Sequence, residues 1–230
     1  MNLFKYVFGA VIFILYCNPI ASQDFQSVMS DCVDKIINTK NLSLAIDVKA
    51  IDSKNKSVLQ HTTFNLYKDD KVLYSEAMGR KTYFDLVRSL VFGVDQESKL
   101  ATISKLDGDL KTMKSSLTSM LGVNSDFNSS FDIKTSNNEK LMTFSVFFEG
   151  SLIREFVIDT QSNEIKEATI YQSEEFIVNG TRTLPLLKFK YSYSIDELDI
   201  SPLTYFSYAD NAWKLKKNIA QYKFVNATTF

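Results

Sequence analysis

The sequence predicts an α+β fold built on a single antiparallel sheet, and three observations carry that reading. Apolar and polar residues alternate over many short segments, separated by polar turns too short for a parallel crossover. One segment near the N-terminus instead repeats its apolar residues at three- and four-residue steps. The composition holds 18 Phe and 11 Tyr, most on the alternating segments, against 7 Gly and 3 Pro in 230 residues.

The chain opens on "MNLFKYVFGAVIFILYCNPIASQDF". Lys5 is the only charge before Asp24, and Val7 to Tyr16 have the length of a signal-peptide core. Pro19, Ala21 and Ser22 make a small-residue exit, so residues 1–22 are read as a signal peptide and 23–230 as one domain. A retained anchor helix needs ~20 apolar residues, and Asn18-Pro19 interrupts the run earlier. Lipoprotein processing at Cys17 is disfavoured by the bulk of Tyr16 before it. Loss of Lys5 with that segment leaves 25 of the 26 basic residues against all 27 acidic ones, a balance unlike that of a basic nucleic-acid binder. Cys32 is then the only cysteine, so no intramolecular disulfide is available and stability must come from buried apolar area. No second apolar segment is long enough to cross a bilayer. The mature protein is expected to be soluble.

The spacing predicts a helix over 25–40, where Phe25, Val28, Met29, Cys32, Val33, Ile36 and Ile37 form one stripe. From Leu42 the period becomes two: Leu44, Ile46, Val48 and Ala50 alternate with more polar neighbours, as in a strand with one wet face. His61 to Tyr67 repeats the pattern, with Thr62, Phe64 and Leu66 on one face. Short strands follow at Val72 to Glu76, Lys81 to Leu86, Leu90 to Val94 and Leu100 to Ser104, divided by turns at Asp69-Asp70, Gly79-Arg80 and Gln96 to Ser98. A second helix is read from Asp107 or Asp109, which can cap it, through Leu110, Met113, Leu117, Met120 and Leu121 to Gly122 at its C-cap. After the loop "VNSDFNSSF", strands resume at Phe131 to Thr135, Leu141 to Phe148 and Leu152 to Asp159, with Glu149-Gly150 as a tight turn. Glu164 to Tyr171, Glu175 to Val178 and Pro185 to Ile195 complete the meander.

Chemistry-bearing groups are sparse. His61 is the only histidine and sits on the polar face of its strand, while Cys32 lies on the helix stripe, so the pair makes no zinc site. No "GxSxG" nucleophile turn occurs. Neighbouring carboxylates at Asp69-Asp70, Glu174-Glu175 and Asp107 to Asp109 suit turns and caps. Glycosidic chemistry needs two carboxyls across a cleft, and "DGD" lacks the later ligands of a calcium loop. "NLS", "NKS", "NSS", "NGT" and "NAT" match the glycosylation sequon, which matters only in a eukaryotic secretory pathway. Phe230 ends the chain as in many outer-membrane barrels, but Lys188, Lys190 and Arg154 charge the late strands and oppose a lipid-facing barrel. The residues alone leave two readings open. The aromatics fill the space between sheet and helices, or the sheet keeps a concave apolar surface for a ligand.

The order of elements resembles the LolA/LolB-like superfamily of periplasmic lipoprotein carriers, most nearly its members from Bacteroidetes-type bacteria. The residues behind the likeness are "LSLAIDVKAIDS", "VFGVDQESKLATISK", "REFVIDTQSNEIKEATIY" and the closing "YFSYADNAWKLKKNIAQYKFVN", which ends on Tyr222 to Asn226. The resemblance spans nearly all of the mature chain and is one of pattern. It implies an unclosed antiparallel half-barrel with helices packed across its concave face, holding acyl chains by apolar contact without covalent chemistry. The carriers' Arg-Pro strand is absent. Arg80 and Arg88 lie in the region of the carriers' lid-tying arginine but match no motif, so no functional residue is carried across.

The expectation is therefore a non-enzymatic, monomeric protein of a Gram-negative periplasm that binds a lipid or lipoprotein acyl chain. It needs no cofactor and no metal. Its lining would come from Leu44, Ile46 and Val48, from Phe64 and Leu66, and from Phe144, Val146 and Phe148, with Leu117 and Met120 from the covering helix. The alternative is a structural or interaction module of the envelope whose filled core leaves strand edges to dock a protein partner.

Overall fold

A computed structural model describes residues 19–106, 131–138, 140–172, 175–178 and 181–228. The expected signal peptide falls almost wholly outside these residues, as does the expected second helix with Leu117 and Met120. One helix, α1 (Pro19–Asn38), precedes the strands. The first six are β1 (Leu42–Asp52), β2 (Val58–Lys68), β3 (Val72–Ala77), β4 (Arg80–Asp85), β5 (Leu90–Asp95) and β6 (Leu100–Lys105). Then come β7 (Phe131–Asn138), β8 (Leu141–Phe148), β9 (Ser151–Asp159), β10 (Glu164–Tyr171), β11 (Phe176–Val178), β12 (Thr181–Thr183) and β13 (Pro185–Ile195). The chain closes with β14 (Phe206–Ala209), β15 (Ala212–Leu215) and β16 (Lys223–Ala227).

Twelve strands hydrogen-bond in the order β16-β6-β5-β4-β3-β2-β1-β13-β10-β9-β8-β7. The end strands β16 and β7 do not pair with each other, so the sheet is unclosed and the α+β class read from the sequence holds. Hairpin neighbours are antiparallel, as their short connections require. The pair β16·β6 is parallel, with Phe224 opposite Ala101 and Asn226 opposite Ile103. β11·β12 and β14·β15 form separate two-stranded ribbons.

The turns follow a local rule. Asp85, Asp95 and Asp159 each end a strand, and each accepts the backbone N–H groups two and three residues ahead on its Oδ1, at 2.8 to 3.2 Å. Four residues after each aspartate the chain turns through positive φ, at Ser89 (54°), Lys99 (52°) and Asn163 (51°). Two tighter turns pair a positive-φ residue with glycine: Met78-Gly79 (52° and 74°) and Glu149-Gly150 (49° and 76°). That geometry matches the right-handed twist of the flanking strands. The first of these turns lies one residue before the position read from the sequence.

The described residues belong to two compact units. The first comprises residues up to 39, 47–61 and 108–191. Its core is the α1 stripe of Phe25, Met29, Cys32, Val33 and Ile36, packed among Phe144, Val146, Phe156, Ile158 and Ile165, all at most 8% exposed. The Phe25 ring stands 5.0 Å from that of Phe144 and 5.6 Å from that of Phe156, a tilted packing worth more than area alone. Lys35 Nζ ties the helix down, donating to Glu164 Oε1 at 2.6 Å and to the Ser162 carbonyl at 2.8 Å. Extra residues bulge β9 opposite Val146-Phe147 and β10 opposite Val157-Ile158, and such bulges deepen local twist.

The second unit comprises residues 40–46, 62–107 and 192–230. The registers of β2 to β6 line up Tyr67, Tyr74, Tyr83, Phe92 and Ile103 as successive cross-strand neighbours, hence on one face. All five are buried, and Phe206 and Ile219 from the C-terminal segment complete their cluster. Phe206 stands 5.1 Å from Phe92 and 6.2 Å from Phe224, ring to ring.

Candidate functional site

The tyrosine end of this row opens into a cleft of about 560 Å³. Its floor is Tyr67, Tyr74 and Tyr83, one from each of β2, β3 and β4. Ser43 to Ala45 of β1 and Ser192 to Ser194 of β13 form one wall. The segment after β13 forms the other, through Leu198, Ile200 and Tyr205. That wall is fastened to the floor, because the Leu198 N–H donates to the Tyr67 hydroxyl at 3.4 Å.

Alternation on β3 and β4 places a charged residue two positions from each buried tyrosine. Glu76 follows Tyr74, Lys81 precedes Tyr83, and Glu76 and Lys81 are themselves cross-strand partners. Tyr74 donates its hydroxyl proton to Glu76 Oε2 at 2.6 Å, and Lys81 Nζ lies 3.8 Å from Glu76 Oε1 and 3.2 Å from the Tyr205 hydroxyl, to which it donates. The ammonium also sits 5.7 Å from the Tyr205 ring centroid. Burial, and then the bond to Glu76, pushes the Tyr74 phenol far above its ordinary value. Burial does the same to Tyr83, with Tyr205 adding to it. Burial alone would lower the Lys81 pKa, but its bond to Tyr205 and the Glu76 charge raise it. At neutral pH Tyr74 and Tyr83 therefore stay protonated and Lys81 stays an ammonium. The cleft offers hydrogen bonds, charge and apolar wall.

The lining expected from the sequence divides sharply. Leu44 and Leu66 both touch this cleft. Ile46 and Phe64, half-buried in the same unit, do not. Val48, Phe144 and Val146 belong to the first unit and are at most 3% exposed, with Phe144 covered by Phe25 of α1. The Phe148 side chain lies outside the described residues. The floor was missed because its tyrosines share a face with Asn65, Glu76 and Lys81, and that face reads as the wet one. The signal available was a tyrosine at the same register position in three consecutive short strands.

His61 and Cys32 line neither this cleft nor the second one described below. His61 Nε2 lies 2.8 Å from Asp47 Oδ2, both side chains being more than a third exposed. Arg80 pairs with Asp95 at 3.1 Å, and Arg88 with the buried Asp85 at 2.6 Å. Among the described residues no three His, Cys, Asp or Glu side chains gather as metal ligands, and no helix is long and apolar enough to cross a membrane.

No family model matches the sequence, and no curated protein matches it. Solved structures similar to the chain include an uncharacterised conserved protein from Thermus thermophilus, at 12% identity and a TM-score of 0.44 over 88% of this chain and 99% of that one. A LolA superfamily protein from Nitrosomonas europaea is similar at 7% identity and a TM-score of 0.31, over 75% and 94%. A DUF1329 family protein from Desulfovibrio piger is similar at 14% identity and a TM-score of 0.27, over 76% and 94%. Overlaps this distant carry no ligand or activity to this chain.

Proposed function

We propose that the protein is a non-enzymatic binder or carrier of an amphiphile, a lipid or a lipoprotein acyl chain, held in the tyrosine-floored cleft. One observation carries this reading: aliphatic and aromatic residues make up the larger part of the cleft lining, serines, Asn65 and Thr204 stand among them, and charge is limited to Glu76, Lys81 and Asp199. An alkyl chain laid along Leu198, Ile200 and the Tyr205 ring gains about 0.8 kcal/mol for each methylene taken out of water. Its polar end meets the Lys81 ammonium and the tyrosine hydroxyls. The volume falls in the range of roughly 300–1,000 Å³ usual for small-ligand sites. A monomer working in the periplasm of a Gram-negative bacterium fits this reading.

Native mass spectrometry of protein purified without detergent tests it. A bound adduct of lipid mass is expected, as is uptake of one equivalent of oleate by the stripped protein. Ala45→Phe, which narrows the cleft without removing a core side chain, should lower that uptake at least tenfold. A stripped, folded protein that takes up no oleate, or whose uptake ignores Ala45→Phe, overturns the proposal.

One observation favours a second reading, an interaction module of the envelope. The first unit's interior is filled by its own Phe25, Phe144 and Phe156. A stable protein partner in pull-down from envelope extract, combined with no lipid uptake, supports that reading over the first.

A further inference from the structure

A second cleft, of about 600 Å³, opens in the same unit beside the β14–β15 ribbon. Its chemistry differs from that of the first. Trp213, the only tryptophan of the chain, forms a tilted aromatic pair with its cross-strand partner Tyr208, ring centroids 5.2 Å apart. Trp213 also meets the fully buried Phe92 edge-on at 5.0 Å, so the pair is anchored in the core. Tyr208 remains 59% exposed at the outer end. Leu203 adds an aliphatic contact and Ser207 a hydroxyl. Both charged groups of the lining, Arg88 and Lys216, are cationic.

The two cations are held in different ways. Arg88 follows the Asp85 turn, and its Nη1 donates to Asp85 Oδ2 at 2.6 Å, which fixes the guanidinium near the cleft while half of the side chain stays exposed. A guanidinium has five donors in a planar fork, so one bond to Asp85 leaves it able to grip an oxyanion. Lys216 is exposed, and its backbone N–H donates to the Tyr205 carbonyl at 2.9 Å, which sets the root of its side chain. A fixed aromatic wall next to two cations matches a ligand with a flat or apolar body and an anionic end.

We propose that this cleft binds an organic anion, a phosphate or carboxylate borne on an apolar or planar body, with the body against Trp213 and Tyr208 and the anion between Arg88 and Lys216. The inference does not depend on the tyrosine-floored cleft, whose lining has no residue in common with this one.

Because the chain has one tryptophan, its emission excited at 295 nm reports on the cleft itself. Titration of the full chain with dodecyl phosphate below micelle formation should give a saturable change in Trp213 emission. Lys216→Glu should weaken the apparent affinity at least tenfold, Arg88→Gln should weaken it severalfold, and Ala45→Phe should leave it unchanged. Inorganic phosphate should bind at least tenfold more loosely than dodecyl phosphate. Phosphatidylglycerol vesicles, compared with phosphatidylcholine vesicles, separate a membrane source of the anion from a soluble one. A response to both the monomeric phosphate and the anionic vesicles supports a lipid headgroup as ligand, and a response to the monomer alone supports a soluble anion. No saturable response to dodecyl phosphate overturns the proposal. So does a response that Lys216→Glu leaves intact while circular dichroism shows both proteins folded, or equal affinity for inorganic phosphate.

Discussion

Cys32 shows how far a single buried residue can set the behaviour of the chain. It is 1% exposed in the α1 stripe, and burial, reinforced by the Asp31 carboxylate and opposed by Lys35, pushes its thiol up to about 12 from an ordinary 9.0. The sign follows from proton counting. Between these values the unfolded chain has lost the thiol proton and the folded chain has kept it, so unfolding releases a proton and stability falls as pH rises. The contribution is complete below about pH 9 and is lost between there and about pH 12. One such group contributes a slope of about 1.4 kcal/mol per pH unit. Tyr74 and Tyr83 are shifted the same way and steepen the loss above pH 10. Urea melts at pH 8, 9 and 10 should show the wild-type unfolding free energy falling, and Cys32→Ala should show a shallower slope between pH 9 and 10. Equal slopes in the two proteins would refute a protonated, desolvated thiol.

Among elements, the hairpins were the most legible in the sequence and the C-terminal strands the least. One-sided burial imposes alternation on β1, β3 to β6 and β8 to β10, and an aspartate or glycine marks each turn, so local chemistry suffices to find them. β14 and β15 have only four residues each, although Asp210 and Asn211 both take positive φ (54° and 59°) at their turn. β16 pairs in parallel with β6, a partner more than 100 residues back, and no local turn announces such a pairing. In the candidate site, Leu44 and Leu66, which border the cleft, were legible in the sequence, while the tyrosine floor was concealed by Glu76 and Lys81 on its own face. The turn rule carries its own prediction. Ser89 sits at φ 54°, exposed, after the Asp85 loop. A left-handed backbone costs a non-glycine residue roughly 1–2 kcal/mol, and a β-branched side chain fits it worst. Ser89→Val should therefore lower the unfolding free energy by about 1 kcal/mol or more, whereas Ser89→Gly should keep or raise it. Chemical denaturation of the three proteins measures the order, and Val equal to Gly would contradict the turn geometry.

For the molecule as a whole, the two compact units raise the question of whether the chain unfolds in one step. Each unit has its own aromatic nucleus: Phe25 with Phe144 and Phe156 in the first, Phe92 with Phe206 and Phe224 in the second. Their buried clusters draw on different residues, so the loss of one nucleus need not remove the contacts of the other. Phe206 is the side chain to remove. It is fully buried, and it joins the C-terminal segment to the tyrosine–phenylalanine row across β2 to β5. Truncating a buried Phe to Ala costs about 3–5 kcal/mol, a large share of the stability of an ordinary domain. In Phe206→Ala, hydrogen exchange followed by mass spectrometry should show protection falling by two orders of magnitude or more in peptides covering β4 to β6 and β14 to β16. Peptides covering α1 and β8 to β10 should keep most of theirs, because sub-global openings follow the contacts that are lost. Protection that fell equally in both sets would mean that the units open as a single cooperative body. Both clefts are built from the second unit, so the same variant should also lose oleate uptake and the Trp213 response to dodecyl phosphate while α1 stays folded.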